Sequence, residues 1–135
     1  MGRYLLIFSL ISLSHCASSK KPPIVGIWQV NSRFYAATYE IEYTPKYLQA
    51  QVLFYDDGTT HYQYQGGIKQ YLFQDLHFKN NQYLDGMSSA TQQKPGTAKK
   101  QPQFKIKPKG NDTLEVTSYV RQRPLVEHWV RKQSD

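Results

Sequence analysis

A two-residue hydrophobic period, broken about every ten residues by turn chemistry, constrains this chain more than any other feature. Tyr35, Ala37, Tyr39, Ile41 and Tyr43 alternate with Phe34, Ala36, Thr38, Glu40 and Glu42, the pattern of a strand whose successive side chains point to opposite faces. Leu48, Ala50, Val52 and Phe54 then alternate with Gln49, Gln51, Leu53 and Tyr55 before Asp57-Gly58. Tyr62 and Tyr64 alternate with His61, Gln63 and Gln65 up to Gly66-Gly67, so two turns bracket one strand. Strand-like runs continue at Ile68 to Phe73, Asp75 to Phe78, Phe104 to Lys107, Leu114 to Val120 and Leu125 to Val130. Turn signals fall at Asn80-Asn81, Asp85-Gly86, Pro95-Gly96 and Lys109-Gly110-Asn111-Asp112. Thr44-Pro45 could cap a helix, but the apolar spacing of two in the residues after it favours a strand. About nine short strands predict an all-β domain, either a sandwich or a small antiparallel barrel. Closing the sheet removes exposed edges, and roughly eight strands leave room for side chains or one small ligand.

The first residues are built differently. Met1-Gly2-Arg3 supplies a positive start, Tyr4 to Leu13 is almost wholly apolar, and Ser14-His15 leads into Cys16, the only cysteine. A stretch of about ten apolar residues is too short to span a bilayer, which takes ~20, and the layout is that of a secretory signal peptide. Leu13-Ser14-His15-Cys16 resembles the lipobox of bacterial lipoproteins, although His15 stands where that family carries Gly, Ala or Ser. The resemblance implies a lipoprotein signal peptide over 1–15, acylation of Cys16, a polar tether over 16–23, a domain over 24–132 and a tail over 133–135. It also implies a location in the bacterial cell envelope, anchored to the membrane on the periplasmic side or at the outer membrane. Secretion with cleavage near Ala17 is the alternative. With Cys16 acylated, no thiol remains for a disulfide, a metal or a nucleophile.

The formal net charge is +7, and most of it is local. Lys94, Lys99, Lys100, Lys105, Lys107 and Lys109 lie between Gln92 and Gly110 with no acid among them. A mobile loop over 92–102 leading into a basic strand accounts for this run. Attraction to an anionic envelope surface is the functional reading, with Lys94, Lys99 and Lys100 as candidate surface-binding residues. Export makes nucleic acid an unsuitable partner despite the basic balance.

Gly26-Ile27-Trp28 opens the first strand, and Trp129-Val130-Arg131 ends the last. The opening resembles the Gly-x-Trp signature of lipocalin-like (calycin) barrels. In that superfamily the tryptophan closes the bottom of the barrel against a basic side chain of the final strand, which matches Arg131 here. A guanidinium over an indole gains about 0.5 to 2 kcal/mol. The two ends, with Leu114-Glu115-Val116 between them, also resemble a family of small uncharacterised secreted bacterial domains. The resemblance implies a single small antiparallel up-and-down β-barrel, lipocalin-like, with a β-sandwich as the alternative, and structural roles for Gly26, Trp28, Trp129 and Arg131.

No catalytic constellation emerges. His61, His77 and His128 lack a second ligand at metal-site spacing, since adjacent Glu127 and His128 point to opposite faces of a strand. Asp56 and Asp57 beside Gly58 read as turn formers, and Glu40 and Glu42 as a solvent-facing pair. Ser88-Ser89 lacks the context of a nucleophile. Tyrosine is the unusual component, at eleven residues. Tyr35, Tyr39, Tyr43, Tyr62 and Tyr64 are candidate ligand-lining residues, because phenols inside a barrel suit a partly polar cavity. The expectation is a monomeric, non-enzymatic protein without cofactor or metal, binding a small apolar or amphiphilic ligand. The alternative is an envelope structural or interaction protein with a filled barrel.

Overall fold

The computed structural model describes residues 24–88, 104–120 and 123–133. The leader, the tether with Cys16, the segment carrying Lys94, Lys99, Lys100 and Pro95-Gly96, and residues 134–135 lie outside the described residues. Among the described residues nine strands follow in order: β1 (Gly26–Asn31), β2 (Ala36–Tyr43), β3 (Leu48–Asp56), β4 (His61–Gln63), β5 (Tyr71–Lys79), β6 (Gln82–Ser88), β7 (Phe104–Lys109), β8 (Thr113–Val120) and β9 (Arg123–Arg131). Every pairing is antiparallel.

Eight of the strands close into a ring that runs β1, β2, β3, β5, β6, β7, β8, β9 and back to β1. The ring is joined where Trp28 faces Arg131 and Gln29 faces Val130. Strand β4 is a ninth, short addition paired to the distal end of β3. The fold is thus an antiparallel eight-stranded barrel with one extra strand, consistent with a lipocalin-like architecture, and the sandwich alternative does not apply.

Alternation builds the interior. Trp28 and Val30 of β1, Ala37, Tyr39 and Ile41 of β2, Phe104 and Ile106 of β7, Leu114 and Val116 of β8 and Trp129 of β9 are all buried. Each set has the spacing of two that puts its members on one face. Strand β3 departs from the pattern, because Gln49 and Gln51 are buried alongside Leu48 and Ala50. Its register against β5 shifts twice, and such bulges turn adjacent residues away from strict alternation. Gln74 Nε2 donates to Gln49 Oε1 at 3.2 Å, which satisfies one buried amide.

Two local expectations require correction. Asp85-Gly86 is not a turn but lies inside β6. A Cβ at Gly86 would stand 2.9 Å from Phe104 Cβ and 3.0 Å from Leu76 Cδ1, so the glycine is there for close approach across the barrel wall. The runs Ile68 to Phe73 and Asp75 to Phe78 are not two strands. They contribute to the single strand β5, which starts at Tyr71 and passes through Asp75 at φ 59°. The strand favoured after Thr44-Pro45 is present as β3, from Leu48, and no helix starts there. Thr44 Oγ1 accepts from Tyr47 N at 3.1 Å and donates to Tyr47 O at 2.9 Å, closing a tight turn before β3.

Other turns follow their chemistry. Asn80 and Asn81 both take positive φ, 53° and 58°, the conformation a two-residue hairpin between right-twisted strands demands. Asp57 Oδ1 accepts from the amides of Thr60 and Thr59 at 2.6 and 2.9 Å, and those bonds, the Thr60 amide first, hold its carboxyl below the usual carboxylate range.

Candidate functional site

Antiparallel order gives the barrel two distinct ends. One, called the Gly26 end, carries the start of β1, the turns at Thr44–Tyr47, Asn80-Asn81 and Gly110–Asp112, and the end of β9. The other, called the Tyr35 end, carries the β1–β2 loop, the β3–β4 turn and the β8–β9 connection.

At the Gly26 end the Arg131 guanidinium lies 4.2 Å from the centre of the Trp28 ring. Its Nη1 donates to Val25 O at 3.1 Å and its Nε to Asn111 O at 3.0 Å, so one side chain ties the first strand to the β7–β8 turn. Trp28 Nε1 donates to Ile24 O at 2.8 Å. Gly26, at φ 141°, makes room for this arrangement, because a Cβ there would come within 2.6 Å of Arg131 Nη1. Trp129 sits deeper, 1 % exposed, its ring stacked on Tyr39 at 4.6 Å.

Towards the Tyr35 end an acid enters the interior. The Tyr35 hydroxyl donates to the Glu127 carboxylate, 2.6 Å from each oxygen, and Trp129 Nε1 reaches the same group at 3.5 Å. Tyr55 stacks on Tyr35 at 5.5 Å. Burial first, and then the hydrogen bond to Glu127, pushes the Tyr35 phenol far above its ordinary range. Burial first, and then the negative charge of Glu127, does the same to Tyr39. Both phenols therefore remain donors, since removing either proton would place a second negative charge beside the carboxylate. Glu127 escaped the sequence reading, which considered it only beside His128. The signal was present in its spacing, two residues before Trp129 and four before Arg131 on one face of β9.

Comparison with family models, curated protein sequences and solved structures returns no match. What the barrel does must be argued from its own geometry.

The tyrosines singled out in the sequence do not form one site. Tyr35 and Tyr39 belong to the interior cluster, with Tyr39 almost fully buried. Tyr62 faces Tyr55 across the β3–β4 ladder and so continues that face beyond the ring. Tyr64 follows β4, its amide donating to Leu53 O at 2.9 Å. Tyr43 stands at the opposite end, 59 % exposed.

Tyr43 does line a cavity. A depression of about 1030 Å³ opens at the Gly26 end, among Val25, Gly26, Glu40 to Tyr43, Lys46 to Leu48, Leu76 to Phe78 and Tyr83. Ile41, Leu48, Leu76 and Tyr83 are buried and supply apolar surface, while Tyr43 and Phe78 are exposed. Glu42 is tied to Lys69 at 3.4 Å. Sequence reasoning reached one of these residues as a ligand contact, Tyr43, because the rest come from five separated segments. Between the two ends, Trp28, Tyr39, Tyr83 and Trp129 fill the interior. Among the described residues no group of three or more His, Cys, Asp or Glu side chains could hold a metal ion.

Proposed function

We propose that the protein is an exported, lipid-anchored, non-enzymatic binding protein that holds a small apolar or amphiphilic molecule in the tyrosine-bearing mouth of its barrel. The depression at the Gly26 end carries this reading. Binding sites for small molecules combine a largely apolar concavity of several hundred Å³ with a few polar groups at fixed positions. Here Ile41, Leu48 and Leu76 supply the apolar surface, Tyr43, Tyr47 and Tyr83 add amphipathic rings, and Glu40, Lys46 and His77 add polar groups.

Titration with a fluorescent long-chain fatty acid tests the binding reading. The expected result is saturable uptake that His77→Trp, by filling part of the mouth, weakens about tenfold, as displacing roughly two buried methylenes would. Phe34→Trp at the far end should change nothing. Absent or unsaturable uptake would leave the second reading, an envelope interaction protein with a filled barrel, which the packing of Trp28, Tyr39 and Trp129 favours. The anchor is tested separately by following labelled fatty acid in the expressing cell: incorporation into the protein, abolished by Cys16→Ser, is expected, and no incorporation would leave ordinary secretion.

A further inference from the structure

We propose that the Gly26 end of the barrel is the face that rests on an anionic membrane, with Tyr43 and Phe78 entering the head-group layer and Lys46, Lys79 and Lys132 meeting lipid phosphates. The inference takes from the proposed function the presence of a membrane and the lipid anchor at Cys16. It adds which surface touches that membrane and where the depression opens.

The path of the chain is the first argument. Ile24 is fully buried and fixed at the Gly26 end by the hydrogen bond from Trp28 Nε1. Residues 16–23 could reach at most about 28 Å when fully extended. Strand β3 alone, at nine residues, is about 30 Å long. A lipid on Cys16 therefore holds the Gly26 end close to the bilayer and leaves the Tyr35 end beyond it.

The chemistry of the rim is the second. Tyr43 and Phe78, 59 % and 61 % exposed, stand together on the rim of the depression, whereas Phe34 at the Tyr35 end, 78 % exposed, is not part of its lining. Phe78 is held in place by Tyr83, with ring centres 4.9 Å apart. Lys46 adjoins the same depression and Lys79 follows Phe78 directly. Neither these lysines nor Lys132 has an ion-pair partner among the described residues. Of the acids near this end, Glu42 is occupied by Lys69 and Glu115 by Lys109 at 3.7 Å, which leaves Glu40, Asp75 and Asp112. Aromatic rings flanked by lysines are the side-chain set that settles at a membrane interface. Among the described residues the Tyr35 end is balanced instead, with Asp56, Asp57 and Glu127 set against Arg33, Lys105 and Arg123.

A competing location exists, because β6 ends and β7 begins at the Tyr35 end, and Lys94, Lys99 and Lys100 fall between them in the sequence. One experiment separates the two. Phe78→Trp and Phe34→Trp are placed singly in the full chain, where Trp28 and Trp129 give a constant buried background. Each protein is mixed with vesicles of equal parts phosphatidylglycerol and phosphatidylcholine brominated near the head-group end of one acyl chain. The expected result is a blue shift and loss of most emission from the reporter at position 78, with the reporter at 34 unaffected. Because the leader itself can insert, the decisive arm combines Phe78→Trp with Lys46→Gln, Lys79→Gln and Lys132→Gln. The protein should stay on the vesicles while quenching at 78 is lost, and high salt should do the same, since charge attraction is screened beyond ~8 Å at physiological ionic strength. Circular dichroism verifies that each variant keeps its sheet. Equal quenching at both positions, quenching at 34 alone, quenching at 78 indifferent to both salt and the substitutions, or loss of quenching with Lys94→Gln, Lys99→Gln and Lys100→Gln instead would each overturn the proposal. None of these outcomes depends on acylation of Cys16.

Discussion

Arg131 holds its guanidinium 4.2 Å from the centre of the Trp28 ring, directly across the β1–β9 ladder that closes the barrel. The pair joins the first and last strands of the ring, and the two carbonyls that Arg131 binds extend that junction to Val25 and Asn111. Closure in this barrel is therefore partly a side-chain matter. The β1–β9 ladder has only two paired positions, whereas β8 and β9 share eight.

Arg131→Ala should cost about 2 to 5 kcal/mol, adding a cation-π contribution of about 0.5 to 2 to hydrogen bonds from a charged donor worth ~1.5 to 3 together. Arg131→Lys keeps the charge but loses the planar fork, so about half of that loss should remain. Urea unfolding followed by tryptophan fluorescence measures both. Equal stability of all three proteins would show that the ladder alone closes the ring.

Gly26→Ala is expected to destabilise by about 1 to 3 kcal/mol, because φ 141° is strained for any residue with a Cβ. The added atom also meets Arg131 Nη1 at 2.6 Å. In the Arg131→Ala background the clash disappears and the backbone strain does not. The double mutant should consequently be more stable than the sum of the single losses predicts, a coupling typically of ~0.5 kcal/mol or more between residues in contact. Strict additivity would place the whole cost of the alanine in the backbone.

The ring of strands was legible because its inner residues come from strict alternation, as in Ala37, Tyr39 and Ile41 or Leu114 and Val116. Legibility failed wherever the backbone left that period. Asp75 at positive φ looks like a break in sequence, yet it sits within a continuous β5. Gly86 carries the composition of a turn but serves a packing contact, which only the neighbouring strand reveals. Glu127 is an acid on an inward face, and alternation cannot say that a phenol from β2's leading loop will reach it. The depression was hidden for a different reason. Its lining comes from β1, β2, the β2–β3 turn, β3, β5 and β6, and no local pattern records that the ends of these elements meet.

Gly86→Ala separates the two readings of that glycine. As a turn residue it would tolerate alanine with a modest loss, but its ideal Cβ lies 2.9 Å from Phe104 Cβ and 3.0 Å from Leu76 Cδ1. Overpacking of this kind costs about 1 to 3 kcal/mol. Phe104→Leu should recover little, since the clash is with the Cβ that both side chains share. Leu76→Ala removes the second contact and itself creates a cavity costing about 2 to 5 kcal/mol. Thermal unfolding of the four proteins decides the matter, and an unperturbed Gly86→Ala would mean that β6 shifts freely against β7.

Tyr35, Tyr39 and Glu127 set the alkaline limit of stability. Both phenols are raised above the ordinary value of 10.0, by burial first and then by Glu127. The unfolded chain releases these protons near pH 10 while the folded barrel retains them. Their contribution is therefore complete below about pH 10, and it declines as pH rises further, by about 1.4 kcal/mol per unit for each phenol still protonated in the folded state alone. Stability should thus fall steeply above pH 10, and Tyr39→Phe should flatten that slope because it removes one titrating proton while its ring stays stacked on Trp129. Tyr35→Phe should flatten it as well, but it also leaves the Glu127 carboxylate without its 2.6 Å donor, so it should lower stability at neutral pH by about 1 to 3 kcal/mol. Glu127→Gln in the Tyr35→Phe background should return part of that loss by removing the uncompensated charge. Denaturant unfolding of the four proteins from pH 7 to 11 tests the scheme. An alkaline slope unchanged by both tyrosine substitutions would assign it to other groups.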